Sequence, residues 1–151
     1  MKIVFAASSG GHLEQLLMLK PLMEKYDSIL VTEKTQYSAG KMDIKTYYLK
    51  QINRKEVLFI PKLIGNSFRS LRIIIKERPT VMITTGVLAI IPMALLMKII
   101  GGKLIYLESF AKVTSKTLSG KLLYKYADQF YVQWEEMLKL YPNAIYKGGI
   151  Y

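Results

Sequence analysis

Short, continuously apolar runs alternate with amphipathic stretches along almost the whole chain, and this alternation limits the possible folds more than any other feature. Residues 3–7, for example, are all apolar. A strand that is buried on both faces has such a sequence, whereas a strand with one solvated face alternates apolar and polar residues. Strands of the first kind separated by helices predict a parallel sheet with helices on both faces, which is a Rossmann-like doubly wound α/β domain.

The predicted elements follow one another in a regular order. Strands are predicted over residues 2–7, 28–32, 45–49, 81–84, 103–107, 129–132 and 144–146. Helices are predicted over residues 13–25, 60–76, 88–100, 118–126 and 135–141. Residues 33–43 are polar and are predicted to form a loop. With 151 residues and no internal repeat, we expect a single domain over residues 1–151.

Composition narrows the classes of function. The chain has no cysteine, which excludes disulfides and thiolate metal sites and favours a cytoplasmic setting. Because His12 is the only histidine, we expect no metal and no cofactor. Twenty-two basic residues against eleven acidic ones give a net charge of +11, which predicts attraction to phosphorylated ligands or an anionic membrane. The aromatic residues are scattered rather than interleaved with a basic stripe, so we expect no nucleic-acid binding.

Two segments bear on membrane insertion and export. Residues 81–97 carry no charge and approach the length of a membrane span. A TTG turn and Pro92 interrupt this run and Lys98 follows it, which favours a buried strand, a turn and a buried helix. Only five apolar residues separate Lys2 from the first serine, so no secretory signal is expected.

The first predicted strand runs directly into SSGGH, residues 8–12, where a helix begins. Ligands of open α/β sheets bind beyond the carboxyl ends of the strands, where glycines and free N–H groups favour anions. The stretch therefore predicts a phosphate or diphosphate site at Ser9, Gly10, Gly11 and His12, although the standard phosphate-loop motifs are absent. The alternative is a tight turn in which a hydroxyl caps the helix. A neutral His12 can act as a base or donate a hydrogen bond.

Two later strands end in similar polar segments, TTG at residues 84–86 and LES at residues 107–109. Because the carboxyl ends of parallel strands share one edge, we expect Gly86 and Glu108 to face the same crevice as SSGGH. Glu108 would place a carboxylate at the rim of this crevice, which these three segments form. The alternative is a surface ion pair between Glu108 and a neighbouring lysine.

Residues 60–78 combine an apolar helical face with many basic residues. Phe68, Leu71, Ile74 and Ile75 form the predicted apolar face, and Arg69, Arg72 and Lys76 are among the flanking cations. Such a helix can lie in the head-group region of an anionic membrane, with contacts from Phe68, Arg69, Arg72 and Lys76. An ordinary core helix with a solvated basic face explains the same pattern.

Several motifs, in this order, carry a resemblance to a known family. They are SSGGH at 8–12, TTG at 84–86, LES at 107–109, LSGKLLY at 118–124, and VQWEE, YP and YKGG near the end. The chain resembles the small accessory or membrane-anchor subunit of split GT-B glycosyltransferases. Eukaryotic members of that family serve the dolichol pathway, and bacterial relatives serve capsule and exopolysaccharide assembly. More distantly, the chain is similar to the N-terminal half of the N-acetylglucosaminyltransferase that forms lipid II, in which a Gly-rich loop ending in histidine lies where the acceptor diphosphate is thought to bind.

The resemblance implies an acceptor-binding and partner-docking subunit that lacks the nucleotide-sugar site and has little or no activity alone. A catalytic, donor-binding partner would transfer a hexose from a UDP-sugar to a polyprenyl-diphosphate-linked sugar, with His12 or Glu108 acting on the acceptor hydroxyl. Because this chain starts directly at its first strand, whereas eukaryotic members begin with a membrane-spanning helix, we expect peripheral attachment to the inner face of the cell membrane, or attachment through the partner. A self-sufficient small Rossmann-like enzyme that binds a phosphorylated ligand is the alternative.

Overall fold

The described part of the chain forms a parallel sheet of seven strands. The computed structural model describes residues 1–34, 43–53 and 55–151. In chain order the strands are β1 Lys2–Ala7, β2 Asp27–Glu33, β3 Lys45–Leu49, β4 Val81–Thr84, β5 Lys103–Leu107, β6 Gln129–Val132 and β7 Ile145–Tyr146. Their spatial order is β3-β2-β1-β4-β5-β6-β7, and every neighbouring pair is parallel. The predicted Rossmann-like doubly wound sheet is therefore confirmed.

Helices lie between the strands as predicted, but the first is divided in two near position 20 and several others differ at their ends. They are α1 Gly11–Leu17, α2 Lys20–Lys25, α3 Phe59–Glu77, α4 Ile91–Ile99, α5 Leu118–Leu123 and a 3-10 helix Glu135–Lys139. The single helix predicted over residues 13–25 is wrong, because the chain forms two helices there. Pro21 lies in the first turn of α2, and its ring would clash with the carbonyl of Leu17 if the first helix continued.

Smaller corrections concern the ends of elements. Helix α4 begins at Ile91 rather than at residue 88, since Val87 has a positive φ of 106° and residues 88–90 form a turn. Helix α5 and strand β7 are each shorter than predicted. Glu33 ends β2 instead of starting a loop, and residues 35–42 of that predicted loop lie outside the described residues. The uncharged run 81–97 does fold as a strand, a turn and a helix.

Two apolar clusters hold the helices to the sheet, one on each face. In β1 the side chains of Val4 and Ala6 belong to the cluster under α3, α4 and α5, while Ile3 and Phe5 belong to the cluster under α1 and α2. All four are at most 2% exposed. Burial on both faces is the reason why the strands are continuous apolar runs in the sequence.

Part of the sheet face that carries α1 and α2 has no helix over it among the described residues. Ile105 of β5 and Tyr131 of β6 are only partly buried on this face. They line a groove of about 360 Å³ together with Leu19, Leu22, Leu107 and the segment 147–150. An apolar sheet surface therefore stays accessible beside the final strands.

A buried carboxylate, Glu77, joins three elements at the amino edge of the sheet. Its oxygens accept hydrogen bonds from Lys45 Nζ at 2.6 Å, the Tyr47 hydroxyl at 2.5 Å and Lys2 Nζ at 2.9 Å. These donors, Lys45 first, lower the pKa of Glu77 to about 2. We call this group the Glu77 cluster; it lies at the opposite edge from the predicted ligand site.

Candidate functional site

The loops after β1 and β4 meet at the carboxyl edge of the sheet. The Thr85 hydroxyl donates a hydrogen bond to the backbone carbonyl of His12 at 3.1 Å. Strand β1 pairs with both β2 and β4, and the chain leaves it toward β2, so this edge is the point where the strand order reverses. Ligands of doubly wound sheets bind at such a reversal. The structure thus brings SSGGH and TTG together as the sequence predicts.

Gly10 determines the shape of the first loop. Its φ of 81° and ψ of −149° form a conformation that only glycine adopts easily. No side chain caps α1, so the alternative prediction of a hydroxyl cap does not hold. The first N–H groups of the helix lack intrahelical acceptors. A Cβ on Gly11 would meet nothing within 4 Å, so the loop is open on the side toward which that Cβ would point.

His12 lies at the start of α1 in a half-buried position. Burial lowers its pKa, and this effect exceeds the opposing influences of the Thr85 backbone and the Glu108 charge. The ring is therefore neutral at pH 7. Its Nδ1 atom is buried without a hydrogen-bond partner among the described residues. Nδ1 is therefore not accessible to a ligand, and proton transfer or hydrogen bonding with a ligand oxygen would use the other ring nitrogen of the uncharged imidazole.

A cleft of about 510 Å³ opens beside His12. Its walls are Gly11, His12, Glu14, Gln15, Ser109, Phe110, Ala111 and Tyr151. Gln15 was not among the predicted site residues; its amide N–H donates to the Glu108 carbonyl at 2.9 Å and its amide oxygen accepts from the Phe110 N–H at 3.0 Å. Gln15 thereby fixes the loop after β5 to α1. Its signal was a polar residue between Leu13 and Leu16 on the apolar face of the helix.

Glu108 follows β5 as predicted, but its carboxylate does not reach the rim. The residue is fully buried. Its oxygens accept hydrogen bonds from the Thr117 hydroxyl at 2.7 Å, the Tyr141 hydroxyl at 2.8 Å and the Ser109 N–H at 2.9 Å. No lysine pairs with it in the described chain, so the alternative of a surface ion pair does not hold either. Glu108 instead connects the loop after β5 to α5 and to the segment before β7.

Gly86 lies where the TTG loop packs against this same network. A Cβ at position 86 would lie 2.5 Å from both Ser119 Oγ and the Tyr106 hydroxyl. The Tyr106 hydroxyl is in turn 3.1 Å from Ser119 Oγ and 3.2 Å from Thr117 Oγ1. The φ of Gly86 is 89°, so glycine is required both by its backbone and by its neighbours.

The predicted membrane face of α3 is exposed in large part. Phe68 is 70% exposed, and Arg69, Arg72 and Lys76 are exposed beside it. None of these three cations forms an ion pair with a described residue. Ile74, predicted for the same face, points into the core instead and is 3% exposed. Of the helices that the structure describes, none is long and apolar enough to cross a membrane.

No group of three or more acidic or histidine side chains within residues 1–34, 43–53 and 55–151 could hold a metal ion. The site therefore consists of backbone N–H groups, one imidazole and the cleft beside it. This arrangement can bind an anion at the glycine loops and place a neutral proton acceptor next to it.

Comparison with known proteins places the chain in a family. The model of the family described as oligosaccharide biosynthesis protein Alg14 like matches residues 32–150. The UDP-N-acetylglucosamine transferase subunit ALG14 of Yarrowia lipolytica is 30% identical over 179 residues, covering 97% of this chain and 80% of the relative. Its human counterpart is 26% identical and covers 99% of this chain and 83% of the relative. Among solved structures, MurG of Acinetobacter baumannii superposes with a TM-score of 0.75 at 15% identity, covering 90% of this chain but less than half, 43%, of MurG. The last likeness concerns the fold, a Rossmann-like unit of the GT-B type. Because the family model matches most of the chain and the two ALG14 subunits are similar to it along nearly its whole length, the chain belongs to the Alg14 family.

Proposed function

We propose that this chain is the acceptor-binding and partner-docking subunit of a two-chain glycosyltransferase. The partner binds a UDP-sugar and transfers its hexose to a polyprenyl-diphosphate-linked sugar held at the carboxyl edge of this domain. The names of the relatives, subunits of a UDP-N-acetylglucosamine transferase, support both the donor class and the need for a second chain. Use of the product in capsule or exopolysaccharide synthesis stays a prediction from the sequence resemblance.

The observation that carries this proposal is the convergence of two glycine loops beside a neutral imidazole. Thr85 joins the loops through its hydrogen bond to His12. The N–H groups at the start of α1 bind the acceptor diphosphate, since no side chain caps them and the loop is open beside Gly11. Ser9, which is half-buried, is a further contact at this site, whereas Gly86 is buried against Ser119 and Tyr106 and supports the TTG loop from behind.

His12 and Glu108 have different roles in this proposal. The lowered pKa of His12 leaves its ring free to orient or deprotonate the acceptor hydroxyl at neutral pH. Glu108 is a positioning residue, because its carboxylate is enclosed by Thr117, Tyr141 and Ser109 and has no path to a ligand. It keeps the loop after β5 beside the His12 cleft.

The partner docks on the uncovered sheet face over β5 and β6. The groove there is lined mainly by apolar side chains, including Ile83, Ile105 and Leu107. Interface cores have this apolar character. This face carries α1 as well, so a partner bound there lies next to His12 and can bring the donor sugar to the acceptor.

The chain contacts the cytoplasmic face of an anionic membrane through α3. Phe68 enters the head-group region, while Arg69, Arg72 and Lys76 pair with lipid phosphates. Each cation near an anionic surface contributes about 1 kcal/mol, so three together give reversible binding.

Reconstitution tests the proposal. Transfer from UDP-N-acetylglucosamine, UDP-glucose and UDP-galactose to a polyprenyl-diphosphate-linked sugar is measured with this chain, with a candidate donor-binding chain from the same organism, and with both. We expect transfer only with both chains. Full activity of the donor-binding chain alone would contradict the proposal. Tight binding of a nucleotide sugar by this chain alone would favour the self-sufficient enzyme instead.

The variant His12→Ala separates a role in chemistry from a role in assembly. We expect it to reduce transfer by about 10²-fold or more, the usual contribution of a general base, without changing the affinity between the two chains. Glu24→Ala, on the exposed side of α2, is the matched control. Loss of assembly in His12→Ala would mean that the loop has a structural role.

A further inference from the structure

An apolar groove of about 530 Å³ runs between α3 and α4. Ten of its eleven lining residues are apolar. The eleventh, Ser67, uses its hydroxyl to donate a hydrogen bond to the backbone carbonyl of Leu63 at 2.8 Å. The groove therefore offers no free hydrogen-bonding side chain, and a sugar or nucleotide would lose its hydration there without replacement.

One stripe of side chains along α4 determines the length of the groove. Ile91, Leu95 and Ile99 follow one another at helical spacing along α4, and Leu88 in the preceding turn extends the row; all four line the groove. The eight helical steps from Ile91 to Ile99 correspond to roughly 12 Å. Ile99 is 78% exposed and Phe68, on the opposite wall, is 70% exposed. A continuous exposed apolar surface of this kind marks a binding site in a soluble domain.

One end of the groove lies close in sequence to the TTG loop, which contacts the loop of His12. Leu88 lies two residues after Gly86, and Thr85 contacts the His12 carbonyl. From there the groove leads away along α4 toward the amino edge of the sheet. A diphosphate at the glycine loops would thus have its attached chain next to the open end of an apolar channel.

We propose that the groove binds the first isoprene units of the acceptor lipid. This inference rests on the proposed function, because that function supplies the position of the diphosphate. The cations Arg69, Arg72 and Lys76 line a separate cleft that shares Phe68 as its wall. Their charge favours an anionic lipid over a neutral or cationic one.

Binding of short isoprenoid diphosphates to the full chain tests the groove. Inorganic diphosphate, geranyl diphosphate and farnesyl diphosphate are compared by calorimetry below the concentrations at which they form micelles. Each fully buried CH₂ raises the affinity about fourfold. With partial burial we expect the affinity to rise by roughly tenfold for each isoprene unit.

Two groove variants and one control make the test specific. Ser67→Phe fills the groove without reducing its apolar character, so we expect the dependence on chain length to disappear while inorganic diphosphate still binds. Ile99→Gln alters an exposed side chain at the far end of the groove and should weaken farnesyl diphosphate more than geranyl diphosphate. Ile75→Gln changes a residue of α3 that is 64% exposed but does not line the groove, and should have no effect.

Several results would overturn the inference. One is an equal affinity for all three ligands, which would leave the diphosphate site in place without the groove. A second is a dependence on chain length that persists in folded Ser67→Phe. A third is self-association of the wild type that Ser67→Phe abolishes, since a second copy would then occupy the groove. The proposed function would fail in a different experiment, if the two chains together showed no transfer. The binding measurements on isoprenoid diphosphates use this chain without the partner, so the two failures can be distinguished.

Discussion

The buried Glu108 network makes a quantitative prediction that separates a positioning carboxylate from a catalytic base. The perturbation is Tyr141→Phe, which removes one hydroxyl and keeps the ring. That ring packs against Phe130 and Tyr124 with centroid distances of 4.5 and 4.8 Å, and these contacts are retained in the variant. The hydroxyl that is lost donates to Glu108 at 2.8 Å.

The expected magnitude follows from burial and charge. Burial, and next the Glu108 carboxylate, raise the pKa of Tyr141, so its hydroxyl stays protonated and remains a donor. A hydrogen bond to a charged group stabilises the folded state by about 1.5–3 kcal/mol, which is the expected loss in free energy of unfolding. Glu108→Gln places an amide N–H₂ among groups that are themselves hydrogen-bond donors. It should therefore lower the free energy of unfolding by about 3 kcal/mol. When Glu108→Gln is already present, Tyr141→Phe should lower the free energy of unfolding by less than about 1 kcal/mol. The coupling energy between the two substitutions is then about 1–2 kcal/mol.

Urea unfolding of the two single variants and the double variant measures this coupling. Transfer by each variant with the partner chain is measured in parallel. If Glu108 is a positioning residue, Glu108→Gln and Tyr141→Phe lose activity in proportion to their loss of stability. A coupling below about 0.5 kcal/mol would refute the network as described. A large loss of kcat in stable, folded Glu108→Gln, with normal activity in Tyr141→Phe, would identify Glu108 as the base.

Three further predictions concern the loop, the sheet edge and the membrane face. Gly10→Ala should lower the free energy of unfolding by about 1–3 kcal/mol, because alanine does not easily adopt the backbone conformation of Gly10. Gly11 has no positive φ and has open space at its Cβ position, so Gly11→Ala should change the free energy of unfolding by less than about 0.5 kcal/mol. Urea unfolding compares the two variants. The pKa of Glu77 is lowered from 4.5 to about 2, so its stabilisation is complete above pH 4.5 and disappears as the pH falls toward 2. The lysine partners of Glu77 are partly exposed to solvent, which weakens the ion pairs. With allowance for this, Glu77→Gln should lower the free energy of unfolding by about 2 kcal/mol at pH 6 and by almost nothing at pH 2. Equal losses at both pH values would contradict the assigned role of Glu77. Arg72→Glu reverses a charge on the membrane face and should weaken flotation with phosphatidylglycerol vesicles about 30-fold, while Lys20→Glu, on α2, should not.

The strands of the parallel sheet, and the meeting of the loops after them at one edge, could be predicted from local patterns together with the rules for doubly wound sheets. The central strands β1, β2 and β4 contain continuous apolar runs, since both of their faces are buried. Connections in a doubly wound sheet then bring the segments after β1, β4 and β5 to one edge. The contact between Thr85 and His12 follows from this topology.

The direction of a side chain could not be predicted in the same way. Glu108 turns inward because Thr117 and Tyr141, which are 9 and 33 residues away, provide donors in the interior. No local signal in LES distinguishes this from a carboxylate at the rim. The break between α1 and α2 had a local signal, Pro21, but the apolar spacing across it favoured one helix.

The uncovered face over β5 and β6 shows a second limit of sequence patterns. Ile105 and Tyr131 fit equally well in a strand covered by a helix of its own chain and in one covered by a partner. Hydrophobic patterning reports that a surface is to be buried, without reporting by what. Only the arrangement of the helices distinguishes the two cases.

The three proposed contacts occupy separate parts of the fold, and this separation has a consequence for the order of assembly. The groove and the cationic cleft lie on the face of α3 and α4, the docking surface lies on the opposite face of the sheet, and the glycine loops lie at the edge between them. A lipid acceptor can therefore enter from the membrane side while the partner is already in place. Since Glu108 and Gln15 fix the rim through contacts within this chain, the rim has its final shape before the partner binds. In the proposed complex the partner therefore contributes the donor sugar, and the acceptor site is folded within this chain.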